Sequence, residues 1–182
     1  KPNRMEALKN VAADFVESRP NDRIGLVLYA GESYTKVPVT SDKAVVIEGL
    51  QSIKFDNVLQ DGTAIGLGLA TAINRLKDSK AKSKVIILLT DGVNNSGTIE
   101  PETASDIAKE YGIKVYTIGL GSNGMAQYPY SIAPNGDFIF RMMKVEIDEQ
   151  LMKNIAKNTG GKYFRANSNQ KLELIYDEIN KL

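Results

Sequence analysis

The chain has 182 residues, 42% of them apolar, and its 23 basic and 22 acidic side chains nearly cancel. That suffices for one domain with its own core, and without a basic stripe interleaved with aromatics it argues against nucleic acid as a partner. With no cysteine and no histidine, disulfides, thiolate or imidazole metal sites, and Ser-His or Cys-His catalysis are excluded; no apolar run approaches the ~18 residues of a membrane span, and no signal peptide is visible.

Past a short polar start, Met5, Leu8, Val11, Ala12, Phe15 and Val16 recur at three- and four-residue spacing, which predicts an amphipathic helix. Arg19-Pro20-Asn21-Asp22 ends it. Ile24 to Tyr29 reads as a buried strand, and the short link Ala30 to Ser33 folds it back into Tyr34 to Val39 as a hairpin. Thr40-Ser41-Asp42 offers N-cap oxygens to a helix through Val46, Ile47 and Leu50. QDGTAIGLG, Gln60 to Gly68, then runs into a helix marked by Leu69, Ala72, Ile73 and Leu76. Thr63 stands in that loop or first turn, beside glycines that let the backbone approach something closely. On its own, Thr63 is best read as an N-cap.

Lys82 to Gly97, KSKVIILLTDGVNNSG, is the stretch around which the rest is arranged. Val85 to Leu89 is the pattern of a strand buried on both faces, and Thr90-Asp91-Gly92 ends it, with Asn94, Asn95 and Ser96 just beyond. Open α/β sheets bind ligands at their carboxyl edge, so Asp91 is a candidate ligand-binding carboxylate. An ordinary Asp-Gly turn accounts for it equally well.

Pro101 suits a helix start, followed by Ala104, Ile107, Ala108 and Tyr111 and closed by Gly112. Lys114 to Leu120 is a third buried-strand pattern. Residues 122–145 are crowded with turn signals and end in loose alternation, which predicts a hairpin-like insertion. Asp148 caps a helix ended by Gly160-Gly161, Lys162 to Ala166 is a short edge strand, and a closing helix carries Leu172, Ile175, Tyr176, Ile179 and Leu182. Strands alternating with helices predict one domain over residues 1–182: a doubly wound, mostly parallel α/β sheet with one antiparallel edge strand and helices on both faces. Gly119 to Gly124 matches a dinucleotide glycine pattern, but two prolines and no helical period follow it.

DGTAIG at one helix start and LLTDGVNN at the end of the central strand resemble the von Willebrand factor A domain. PNRMEALK, DRIGLVLYAG, VPVTSD, DGTAIGLGLATAINRLKDS, KVYTIGLGSNG and VEIDEQLMKNIAKNTGGKYFRA are similar to the bacterial aerotolerance-operon proteins of the BatA group, over nearly the whole chain. The resemblance implies a divalent-cation site at the carboxyl edge, with Thr63 as hydroxyl ligand and Asp91 as carboxylate ligand. Asn94, Asn95 and Ser96 would flank it towards a partner. Oxygen donors of this kind suit Mg²⁺, Mn²⁺ or Ca²⁺. The family completes its site with an Asp-x-Ser-x-Ser loop after the first strand, which this chain does not contain. In the family, loop and strand precede the Pro2-Asn3-Arg4 stretch, so metal binding by these residues alone is expected to be weak or absent. The family's first strand lies between the strands at 24–29 and 85–89, so those two are expected to stay apart rather than form a direct ladder.

The resemblance further implies a parent anchored in the bacterial inner membrane, with this domain soluble on the periplasmic side. Its implied partners are sister Bat proteins and a MoxR-type AAA+ ATPase. The leading expectation is a non-enzymatic, metal-dependent module for protein partners. The alternatives are a hydrolase using Asp91 at the same edge, for which Asp61 is the only nearby acid the motifs suggest as a base, and a structural spacer without a site.

Overall fold

A computed structural model describes residues 4–53, 64–90, 98–120, 124–132, 138–145 and 148–181. Their elements are α1 (Arg4–Glu17), β1 (Ile24–Tyr29), β2 (Ser33–Thr40), α2 (Lys43–Gln51), α3 (Ile65–Leu76), β3 (Lys84–Thr90), α4 (Pro101–Glu110), β4 (Ile113–Leu120), β5 (Gly124–Ile132), β6 (Phe138–Val145), α5 (Glu149–Thr159), β7 (Tyr163–Ala166) and α6 (Asn169–Asn180). β3, β4 and β7 form a parallel sheet in the order β3-β4-β7, β1 and β2 form an antiparallel pair, and β5 and β6 form a second antiparallel pair.

Helices cover both faces of the parallel sheet because β4 alternates its side chains between two cores. Ile113 and Val115 pack with Ile65, Leu69 and Ile73 of α3, Ala104 and Ala108 of α4, and Met152 and Ile155 of α5. Tyr116 and Ile118 turn the other way, to Val11 of α1 and Leu172, Ile175, Tyr176 and Ile179 of α6. A third cluster joins Ala13 and Val16 of α1 to Val37, Val46 and Leu50 under the β1–β2 pair. Thr117 is fully buried and donates its hydroxyl to the Met152 carbonyl at 2.9 Å, which removes the cost of burying it.

Local signals set the helix ends. Asp42 accepts from Val45 N–H at 3.3 Å and Asp148 from Leu151 N–H at 3.1 Å, each satisfying a first-turn donor. Gly112 (φ 70°) and Gly160 (φ 78°) take left-handed conformations just past α4 and α5, where glycine avoids a Cβ penalty.

No ladder joins β1 to β3, which sit in separate sheets, as expected. Two other expectations need correction. The apolar period of α4 is rotated: Ala104, Ser105 and Ala108 are buried, whereas Ile107 and Tyr111 are exposed. β3 is not buried on both faces. Ile86, Leu88 and Thr90 are buried, Ile87 and Leu89 are half-buried, and Val85 is exposed. The cause is pairing: β3 has a ladder partner on one side only among the described residues. The same residues include no helix long and apolar enough to cross a membrane.

Candidate functional site

Thr63, Asp91, Asn94, Asn95 and Ser96 lie outside the described residues, as does Asp61. What the structure describes is the frame on either side of them. Ala64, fully buried, donates its N–H to the carbonyl of Ala30, just past β1, at 2.6 Å. From the last residue of β1, the Tyr29 hydroxyl donates to the Leu89 carbonyl at 2.8 Å, one residue before the buried Thr90. The neighbours of Thr63 and of Asp91 are thus both tied to the carboxyl end of β1.

α3 begins at Ile65, so Ala64 holds the N-cap position, with no side-chain cap bond. Thr63, the residue immediately before that position, lies outside the described residues. The glycines of this helix do approach something closely, but it is the protein itself. A Cβ on Gly66 would come within 2.0 Å of the Ile99 carbonyl oxygen, and one on Gly68 within 2.7 Å of the Tyr29 ring. α3 is thereby seated against the entry to α4 and against the tyrosine that reaches β3. Ser33 and Thr71 add a hydroxyl pair at 2.5 Å, with Thr71 donating to the Leu67 carbonyl at 3.0 Å.

Tyr29, Ser33 and Thr71 were not marked by the sequence pattern. A tyrosine closing an apolar strand is a visible signal, but its acceptor, a backbone carbonyl sixty residues on, is not.

A second polar cluster lies between α5 and β7. Glu149 accepts from the Tyr163 hydroxyl at 2.9 Å and from the Arg165 guanidinium at 2.5 Å. The Tyr163 hydrogen bond, then that of Arg165, lowers the Glu149 carboxyl below its ordinary range. Burial, then the carboxylate, raises the Tyr163 phenol.

A parallel sheet with helices on both faces defines an open α/β domain, the architecture that binds ligands at the carboxyl edge of its strands. The family model for the von Willebrand factor type A domain matches residues 2–178, and the chain belongs to that family. Among solved structures it is similar to the conserved hypothetical protein BatB from Bacteroides thetaiotaomicron, with 31% identity, TM-score 0.79, and coverage of 100% of this chain and 89% of that one. It is also similar to an aerotolerance-related membrane protein from Bacteroides fragilis, with 26% identity, TM-score 0.79, and coverage of 100% and 90%. Proximal thread matrix protein 1 from the mussel byssus, solved with a zinc-occupied MIDAS motif, shares 25% identity at TM-score 0.72, over 100% of this chain and 41% of that one. The chain spans about half the length of the curated relatives it matches, among them an uncharacterized protein of Borreliella burgdorferi with 31% identity over 98% of this chain and 52% of its own length.

Proposed function

We propose that this domain is a non-enzymatic binding module of a membrane-associated, Bat-type protein, using a divalent-metal-dependent adhesion site at the carboxyl edge of its sheet. The observation that carries the reading is the shared anchorage of the two loops: Ala64 to Ala30, and Tyr29 to Leu89. It brings the neighbours of Thr63 and Asp91 to one end of β1. A hydroxyl and a carboxylate are hard oxygen donors, and this donor set fits Mg²⁺, Mn²⁺ or Ca²⁺. Thr63 and Asp91 would hold the ion, and Asn94, Asn95 and Ser96 would meet the partner. The ion would supply an open coordination position for a partner's carboxylate.

A zinc-occupied site in the mussel protein supports metal binding at this fold's edge. The BatB and aerotolerance-related neighbours support a membrane-anchored parent. In this reading the parent's partners are sister Bat proteins and a MoxR-type ATPase, met on the periplasmic side. Two ligands alone compete poorly with the hydration shell of Mg²⁺, so tight binding requires the family's Asp-x-Ser-x-Ser oxygens as well.

Asp91→Ala in the full-length protein tests the reading. Metal-dependent capture of partners from the parent's membranes should be lost, with the melting temperature without metal unchanged or raised, since a carboxylate is removed from among other oxygens. Capture that survives the substitution, or a melting temperature that falls steeply without metal, would refute it.

A further inference from the structure

The amino edge of the parallel sheet, opposite the candidate metal edge, concentrates positive charge. β3, β4 and β7 run parallel, so α3, α4 and α5 all end on the side where those strands begin. From Arg75 to Lys84 the chain reads RLKDSKAKSK, setting Arg75, Lys77, Lys80, Lys82 and Lys84 against Asp78 alone. Lys109 and Lys114 lie on either side of the start of β4, with Glu110 between them. Lys157, in the last turn of α5, walls a cleft of about 410 Å³ together with Lys109.

None of these eight cations is in an ion pair among the described residues. The acids around them are already answered. Lys162 holds Glu178 at 2.7 Å and Arg19 holds Asp22 at 2.6 Å. Glu17 and Asp177, near the ends of α1 and α6, are matched in number by Arg23 and Lys181, and Asp106, a turn further up α4, by Lys153. Eight cations against two acids leave a surplus of six in a chain of net charge +1, so the remaining residues together are negative by five. Arg75, Lys109 and Lys157 sit in last turns, where any helix favours a cation. Lys80, Lys82, Lys84 and Lys114 lie outside the helices and have no such reason. Beside them, one turn apart at the end of α4, Ile107 is 38% and Tyr111 44% exposed.

We propose that this amino edge rests on an anionic lipid surface, with its lysines among the headgroups and Tyr111 and Ile107 at the interface. The metal edge would then face away from the bilayer, open to partners. Long lysine stems reach mobile headgroups, and a tyrosine with an apolar neighbour suits the level at which water gives way to lipid. A nucleic acid would want aromatic rings among the cations to stack its bases on, and residues 75–84 include none. An acidic protein segment would answer the lysines of one link and gain little from those of the others. The inference rests on the reading of a membrane-associated parent for its setting, but not on a metal at Thr63 and Asp91.

The test is co-sedimentation of the 182-residue chain with vesicles of phosphatidylcholine, alone or with about one-third phosphatidylglycerol. We expect partition onto the anionic vesicles only, lost as salt rises from ~0.05 M to ~0.5 M. Lys80→Glu combined with Lys82→Glu should weaken partition about tenfold or more, and Tyr111→Ser about threefold. Lys171→Glu, in the first turn of α6 at the opposite edge, should change it by less than about twofold. All four side chains are exposed, and an unchanged melting temperature verifies each variant. Asp91→Ala should leave vesicle binding in place, so this inference and the metal reading fail separately. Equal partition onto neutral vesicles, or an equal loss from Lys171→Glu, would overturn the proposal. So would tighter binding of a short DNA duplex or of polyglutamate at the same salt, the signs of a nucleic acid or an acidic protein as the true occupant.

Discussion

β3 and β4 are both mostly apolar strands, yet among the described residues only β4 is paired on both sides. β4 has ladders on both sides, and Ile113, Val115, Thr117 and Ile118 are each no more than 1% exposed. Among the described residues β3 has a ladder on one side, and every second residue from Val85 to Leu89 retains solvent contact. β1, across the seam, repeats the pattern: Ile24, Leu26, Val27, Leu28 and Tyr29 are all half-buried. An apolar run states what a strand needs, and its neighbours decide whether the need is met. Between β1 and β3, which sit in separate sheets, neither strand has a described ladder partner on the facing side. That seam ends where Tyr29 reaches Leu89, next to the candidate metal edge.

The largest expected effect lies on the satisfied side. A Cβ on Gly161 would sit 1.9 Å from the Val115 carbonyl oxygen, a backbone atom of the doubly paired strand. Gly161→Ala should cost about 3 kcal/mol, read from the urea midpoint, because β4 has ladders on both sides and cannot retreat. A loss under about 1 kcal/mol would show that β4 yields, and the contrast with β3 would fail. A matched pair sharpens it. Ile118→Ala should cost about 4 kcal/mol and Ile87→Ala about 2 kcal/mol, since a half-buried side chain has less burial to lose. Equal losses would place the two strands in one environment.

At the seam itself, Tyr29→Phe removes the hydroxyl that reaches the Leu89 carbonyl and keeps the ring packed on Gly68. The expected cost is about 1 kcal/mol. The amide of Ala64 should also exchange faster, because its acceptor, Ala30, follows Tyr29 directly. A smaller loss with unchanged exchange would mean that the seam is held by other contacts.

Most of the fold was legible because β-strand and helix periods, capping acids and turn glycines are local. Asp42, Asp148, Gly112 and Gly160 each act within a few residues of themselves. What escaped was decided at long range. Lys9 would be a solvated side chain on any helical wheel, yet it is buried, with its ammonium donating to the carbonyls of Gln51, the last residue of α2, and of Ile53 just beyond it. Its favourable partners, at the negative end of another helix, lie more than forty residues away. Gly66 and Gly68 advertised close approach, but the sequence did not say to what. At the site, the motifs named Thr63 and Asp91 and could not supply the tie through Tyr29 that relates their loops. The cluster of Glu149, Tyr163 and Arg165 drew no notice, because its members belong to two elements and no motif.

That cluster gives the smallest effect, at the open edge of the satisfied side. The folded-state Glu149 carboxyl is held below its ordinary value of 4.5, first by the Tyr163 hydroxyl and then by Arg165. Its contribution is therefore fully present above pH 4.5 and is lost as the pH falls through the lowered folded value. Tyr163 is raised above its ordinary value of 10.0, by burial and then by Glu149, so its share is present below pH 10.0 and is lost as the pH rises through the raised value. The acid end of the stability plateau is thus set chiefly by the hydrogen bonds to Glu149, and the alkaline end chiefly by the burial of Tyr163. Glu149→Gln removes the charge that makes both shifts mutual while keeping an acceptor for the phenol. The acid limb of the melting-temperature profile should flatten, and the alkaline limb should change less, because burial dominates the Tyr163 shift. The side chain of Glu149 is 37% exposed, so solvent screens the pair and the change should be modest. Profiles of the two proteins that superimpose from pH 3 to 6 would show that Glu149 and Arg165 meet at the edge of β7 without stabilising it.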